Sequence, residues 1–278
     1  MALRIMTNEQ ALTAQRHLEL TNARLNSSME KLSSGNRINR AADDAAGLAI
    51  SDTLQATIRS MGQAVRNAQD GVSLIQVFEG GTTEINNMLT RMRELAMQSA
   101  TDTVGDRERH LINNEVQELK NEVERVAQTT KYSGRYLLNG EADALDFQIG
   151  PENIQEADRI TFNPGDAALT SSALGVDGID ISAKGEAQES LDTIDAAINR
   201  VNEVRSKIGS IQSRLQSTIN VQNIFIENLT SARSRIRDTD VAMESTNLAK
   251  ETIIRNSGVA MLSQANQTPA VALQLLRQ

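Results

Sequence analysis

The sequence predicts a mainly α-helical fold: an elongated antiparallel helical bundle, or coiled-coil rod, with a small β-hairpin element in the middle of the chain. Three observations carry this. Aromatic residues are only 2% of the 278, with no Trp, while hydrophobic residues reach 39%. Thick globular cores draw on large aromatic side chains, whereas long thin helical packings are filled by Ala, Val, Ile, Leu and Met. Proline occurs only at Pro151, Pro164 and Pro269, so residues 1–150 and 165–268 are free to run as long helices. Finally, apolar residues on both sides of the middle recur at alternating spacings of four and three, the seam of a coiled coil.

The first helix carries Ala11, Ala14, Leu18, Thr21, Leu25, Ser28 and Leu32 on that seam, and Ser33, Ser34 and Gly35 interrupt it. After the basic loop NRINR, Asp43 and Asp44 place acids at the start of a second helix, where they complement its dipole. Its seam includes Ile58, Met61, Val65, Ala68, Val72 and Ile75, and continues in shifted phase with Phe78, Ile85, Met88, Met92 and Leu95. Gly80 and Gly81 lie at the phase change, which predicts a stutter-like adjustment or a bend there rather than a clean break. A third helix over roughly 105–129 has Ile112, Val116, Leu119, Val123 and Val126 in strict alternation. Between 137 and 182, the runs LDFQIG, RITFN and GIDIS alternate with turn residues and predict short strands. The helical period returns at about 186 with Leu191, Ile194, Ile198 and Val201. A final stretch sets Val241, Ser245, Leu248, Thr252, Arg255, Val259 and Leu262 on a seam, and Pro269 is expected to restart or kink the apolar end.

Charge follows the same division. The chain carries −8 in all, and residues 141–190 hold eleven acids against Arg159 and Lys184, which leaves the rest near neutral. The acidic middle reads as a solvated surface. The acidity argues against nucleic acid as a partner. No stretch reaches the ~20 apolar residues of a membrane span, so no membrane insertion is expected, and no cleavable signal is recognisable. With no Cys there are no disulfides, thiolate metal sites or cysteine nucleophiles. His17 and His110 fall on different helices and read as ordinary surface residues, and no HExxH or glycine-rich phosphate loop occurs. No catalytic, cofactor-binding or metal-binding residues are assigned.

The terminal seams are thin. Thr21 and Ser28 on one side face Ser245, Thr252 and Arg255 on the other, and each polar seam position lowers stability. Ordering the backbone costs about 1–2 kcal/mol per residue, so the ends are expected to be disordered alone and to order when identical neighbours cover them.

The run KLSSGNRINRAADDAAGLAI at 31–50 resembles the N-terminal signature of bacterial flagellins, and SARSRIRDTDVAMESTNLAK at 231–250 and LSQANQTPAVALQLL at 262–276 resemble the family's C-terminal end. The similarity covers residues 1 to about 140 and 186–278. It implies the structural subunit of the flagellar filament, secreted through the flagellar type III apparatus with an export chaperone and polymerised beneath a cap protein above hook–filament junction proteins. The chain looks like a core-only member without large outer domains. It implies residues 1–42 and 240–278 as the two halves of an inner coiled-coil domain, and 43–239 as a helical-bundle domain with a β element at about 137–182. Leu18, Leu25, Leu32, Val241, Leu248, Val259 and Leu262 would then form the polymerisation seam of the homopolymer. RMRELAMQSA at 91–100 and Glu115 resemble the region read by the vertebrate flagellin-sensing Toll-like receptor, which assigns Arg91, Leu95 and Glu115 to that surface. A hook–filament junction protein shares the terminal helices and is the alternative reading.

Overall fold

The computed structural model describes residues 7–141 and 143–275, with side chains described through residue 267; Met1 and Met6 lie outside the described residues. It is mainly helical, with long antiparallel helix pairs and small hairpins mid-chain. The described residues fall into two compact units, one comprising residues up to Ala56 with those from Asn228 onward, the other Thr57–Glu227. The dividing points lie inside two long helices, α2 (Ala45–Ser99) and α5 (Lys184–Arg237). The sequence, in contrast, marks its breaks at the loops on either side of them.

In the first unit, α1 (Glu9–Ser34) pairs with α6 (Val241–Leu275). The pairing is antiparallel: the Asn8 side-chain amide donates to the carbonyl of Ala265, and Thr239 N–H donates to the carbonyl of Gly35 at the other end. Asn8 also caps α1 by accepting from Ala11 N–H. Gly35 ends α1 in the left-handed conformation at φ 71°, with its N–H on the carbonyl of Lys31, which satisfies an orphan carbonyl of the last turn. α6 is helical through Pro269 to Leu275, so the proline does not end it.

In the second unit, α2, α3 (Asp106–Thr129) and α5 bury one apolar cluster. α2 and α5 run antiparallel, since Arg93 pairs with Asp195 while Gly71, further back along α2, approaches Leu215, further on along α5. The strict seam of α3 faces inward: Val116 and Val123 are buried, and Ile112, Leu119 and Val126 pack against the cluster. At the turn into α3, the buried guanidinium of Arg109 donates to the carbonyls of Ser99 and Thr101 and to Asp106, replacing the partners that the last carbonyls of α2 lack.

The middle segment lies on this unit. β1 (Lys131–Tyr132) and β2 (Arg135–Tyr136) form a two-residue hairpin through Ser133 at φ 49° and Gly134 at φ 83°, a primed turn that needs both residues left-handed. β3 (Leu145–Gln148) pairs antiparallel with β4 (Arg159–Phe162), joined through the short helix α4 (Gln155–Asp158), so LDFQ and RITF are strands as expected. Phe162 meets Phe78 of α2 edge to face, with ring centroids 5.4 Å apart. GIDIS is not a strand. Its Ile179 and Ile181 are buried, which produces the alternation, but its backbone groups go to side chains or, for Ile179 N–H, to the nearby carbonyl of Val176, and not to a neighbouring strand. Gln117 donates to the carbonyl of Ile179, Ser99 to that of Ile181, and Asn113 accepts from Ile181 N–H.

Helix α2 runs without a break through Gly80 and Gly81, at the expected phase change. The two glycines differ in their surroundings. A Cβ on Gly80 would meet nothing within 4 Å, whereas one on Gly81 would lie 2.7 Å from Leu138 Cδ1 and 2.9 Å from Thr130 Oγ1. Gly81 therefore lets the chain after α3 approach α2. Gly80→Ala should raise stability by about 1 kcal/mol through helix propensity alone. Gly81→Val should lower it by about 1–3 kcal/mol through overpacking, and equilibrium unfolding in denaturant of the two variants measures both signs.

Candidate assembly and recognition surfaces

The segment 31–50 does identifiable structural work in the first unit. Ile38, the one apolar residue in NRINR, is 2% exposed. The Asp43 carboxylate accepts from the N–H groups of Asn39 and Arg40, which hold it below its usual pKa, and Asp44 accepts from Gly47 N–H at the start of α2. A Cβ on Gly47 would collide with Asp44 and Ile38, so this turn requires glycine for close approach. The loop before α2 meets the loop before α6 through an antiparallel bridge between Asn36 and Asp238, in which Arg37 N–H donates to the carbonyl of Arg237 at 2.6 Å. Arg37 also donates its guanidinium to the carbonyl of Ile236, and Arg237 pairs with Asp52 at 3.1 Å. The two distant sequence signatures are thus one interlocked structure.

The α1–α6 seam is thin, and on α6 it departs from the expected line at Val241, Ser245 and Val259. Leu25 is 5% exposed, and Leu18, Leu32, Leu248 and Leu262 are half-buried. Val241 and Val259 are 60% and 52% exposed and lie off the seam. The inward stripe of α6 instead runs through Glu244, Leu248, Glu251, Arg255, Gly258, Leu262 and Ala265. Polar residues hold much of the interface: Thr21 and Ser28 are buried, and the Thr21 and Thr252 hydroxyls bond the carbonyls four residues back in their own helices. Ser245 faces outward.

The balance of apolar surface separates the units. Among the described residues of the first unit, only Leu25, Ile38 and Ala265 are buried hydrophobics. Against them, Leu12, Leu20, Met29, Ile50, Val241, Met243, Ile253, Ile254, Val259 and Met261 are exposed. Single exposed apolar residues are ordinary on protein surfaces; a unit with more large hydrophobics outside than inside is not.

In the second unit, Arg91 and Glu115 come together as expected, with the guanidinium 2.9 Å from the carboxylate and a second contact from Arg91 to Glu94. All three groups are exposed, and the Glu115 contact pushes the Arg91 pKa above its usual value. Leu95 is not part of that surface. It is 2% exposed and belongs to the apolar cluster, because one helical turn beyond Arg91 falls on the inward stripe with Met92 and Ala96. The sequence already placed Leu95 on the seam, and that placement is the correct one. Nearby, Asp195 takes two hydrogen bonds from Arg93, which lower its pKa, and both groups are exposed. Such pairs orient helices more than they stabilise them. Leu95→Ala should cost about 2–5 kcal/mol in denaturant unfolding, a core-cavity effect that a surface position would not show.

Comparison with known proteins agrees with these features. A family model described as the bacterial flagellin N-terminal helical region matches residues 5–143, and one described as the C-terminal helical region matches residues 191–276. A protein of Halalkalibacterium halodurans named Flagellin is 42% identical over 270 residues, covering 97% of this chain and 98% of that protein. The Flagellin of Bacillus subtilis strain 168 is 38% identical over 305 residues, covering 99% of this chain and all of that protein. The crystal structure of Bacillus cereus flagellin is 27% identical, with a TM-score of 0.50, and covers 56% of this chain and 88% of its own. Two family models in order on one chain, and relatives matched along nearly their whole length, place this chain in the bacterial flagellin family, as a core-length member that is a structural protein and not an enzyme.

Proposed function

We propose that this chain, a structural subunit of the extracellular flagellar filament that serves motility, polymerises through its α1–α6 unit, whose helices reach full burial only against copies of themselves. The observation that carries this is the unit's excess of exposed over buried large hydrophobics. Fully burying one Leu, Ile, Val or Met is worth about 1.5–3 kcal/mol. Completing the burial of the ten exposed ones, many of them already half-covered, is then worth on the order of 10 kcal/mol. Association alone costs a comparable ~4–15 kcal/mol. Several neighbours per subunit are therefore needed, and growth depends on subunit concentration. A head-to-tail contact that does not close yields an open helical fibre.

The finer details rest on the same imbalance. Residues 1–42 and 240–278 form the innermost layer around the filament channel, and 43–239 the next. The end helices order on assembly, which makes polymerisation a coupled folding step and keeps the free subunit threadable for type III export with a chaperone. The absence of cysteine removes disulfides that would resist threading. The cap protein and the hook–filament junction proteins supply the first surfaces on which the ends fold. The hook–filament junction alternative predicts assembly that stops at a ring, whereas this reading predicts long fibres. Leu18, Leu25, Leu32, Leu248 and Leu262 serve the packing within the hairpin, and Val241 and Val259 the packing between copies. Leu25→Asp and Leu248→Asp should each leave the 57–227 unit with unchanged thermal unfolding while reducing filament length in electron micrographs to near zero. Normal filaments from both would refute the assignment.

The exposed Arg91–Glu115 pair is proposed as the part of this chain that a vertebrate flagellin-sensing Toll-like receptor reads, with Leu95 acting only by supporting the helix beneath it. In a receptor reporter assay, Arg91→Ala should weaken signalling about tenfold, the loss of one charged interfacial contact, with the melting temperature unchanged. Equal signalling from Arg91→Ala and wild type would remove the pair from that surface.

A further inference from the structure

Helix α6 carries apolar side chains on both edges of the stripe it turns toward α1. Val241 and Val259 lie on one edge, and Met243, Ile254 and Met261 on the other. Met243 and Met261 are eighteen residues apart, about five turns, and so share one line along the helix. They are 68% and 66% exposed. Elsewhere, Met92 is fully buried, Met61 and Met88 are partly so, and Met29 and Met97 are 51% and 50% exposed. Met243 and Met261 are the most exposed methionines among the described residues, and they stand in line on the unit that most lacks burial.

We propose that Met243 and Met261 form an oxidation-sensitive stripe: in the free subunit both sulfurs are open to peroxide, and their conversion to sulfoxide blocks the packing of a second copy against this edge of α6. The inference rests on the assembly reading above. In the reaction, a sulfur lone pair attacks one peroxide oxygen and an S–O bond forms as the O–O bond breaks. The departing hydroxide takes up the proton left on the transferred oxygen to give water, so that sulfur loses two electrons and the peroxide gains them. A flexible apolar side chain becomes polar and branched at sulfur, and burying it without a hydrogen-bond donor is unfavourable. Because the same two side chains are covered by a neighbouring copy in the filament, assembled subunits resist the reaction that free ones undergo.

The test uses the full chain. Free subunits and preformed filaments are exposed to hydrogen peroxide, peptide mapping by mass spectrometry locates the sulfoxides, and filament growth is followed by light scattering and electron microscopy. For each protein, growth after oxidation is expressed relative to its own unoxidised sample. For wild type this ratio should fall on the order of tenfold, and treatment with methionine sulfoxide reductases A and B should restore it. The ratio for Met243→Leu/Met261→Leu should stay near one. Peptides containing Met243 and Met261 should be oxidised in free subunits and spared in filaments. An unchanged wild-type ratio with both sulfoxides present, or an equal fall in the double variant, overturns the inhibition. Equal oxidation of the two methionines in free and assembled protein overturns the placement of a copy on this edge, and with it the reading of how α6 assembles.

Discussion

A pair of helices can bury only one stripe of each, and this limit governs the first unit. α1 and α6 face each other through a seam that includes Thr21, Ser28, Glu251 and Arg255, so even that stripe is poorly apolar. The hydrophobics that a stable hairpin would turn inward sit on the flanks and backs of the helices. The sequence is therefore written for a packing environment with more neighbours than one chain supplies. Low self-sufficiency and high capacity for association are two consequences of the same side-chain placement.

The second unit shows what relieves the limit within one chain. There α3 and the middle segment cover the α2–α5 pair, and the result is a continuous core running through Phe78, Leu89, Val116, Ile181 and Ile194. The β3–β4 hairpin adds Phe162 against Phe78, which brings together two of the chain's four phenylalanines. Side-chain amides of Asn67 and Gln222 reach from α2 and α5 to consecutive carbonyls, Gln148 and Ile149, and fix the hairpin on the helices. This unit needs no copy of itself to bury its core.

The long helices, the inward face of α3 and the β3–β4 pair were legible because period and punctuation agreed there. The misreadings have physical causes. GIDIS alternates because Ile179 and Ile181 fill a core, and periodicity cannot reveal that Gln117, Ser99 and Asn113 take its hydrogen bonds in place of a neighbouring strand. The KYSGRY hairpin was missed because two-residue strands have no period to detect, although Ser133-Gly134 was a turn signal. On α6 the expected line holds at Leu248, Thr252, Arg255 and Leu262 and strays at Val241, Ser245 and Val259, because apolar residues occur all round the helix. The docked face is the one on which Gly258 lies beside Leu18, and Val241 and Val259 fall outside it. Leu95 was assigned to both seam and surface, and burial decides for the seam.

The interlock between the loops before α2 and α6 explains how the family's two signatures can be so far apart in sequence and yet act together. Their main-chain bonds are independent of side-chain identity, but they form only if Gly35 turns left-handed, Ile38 is buried and Asp43 holds the loop backbone. Those requirements fall on the glycine, isoleucine and aspartate of the first signature. Arg37 and Arg237 then exchange roles across the bridge, the first binding the end of α5 and the second the start of α2. This junction is the element in the same unit that fixes which residues of α1 and α6 meet. A slip of one residue in either helix would turn its seam residues, Leu25 on α1 or Leu248 on α6, by about 100° away from the partner, so a well-defined junction matters most where the seam itself is too polar to select its own alignment.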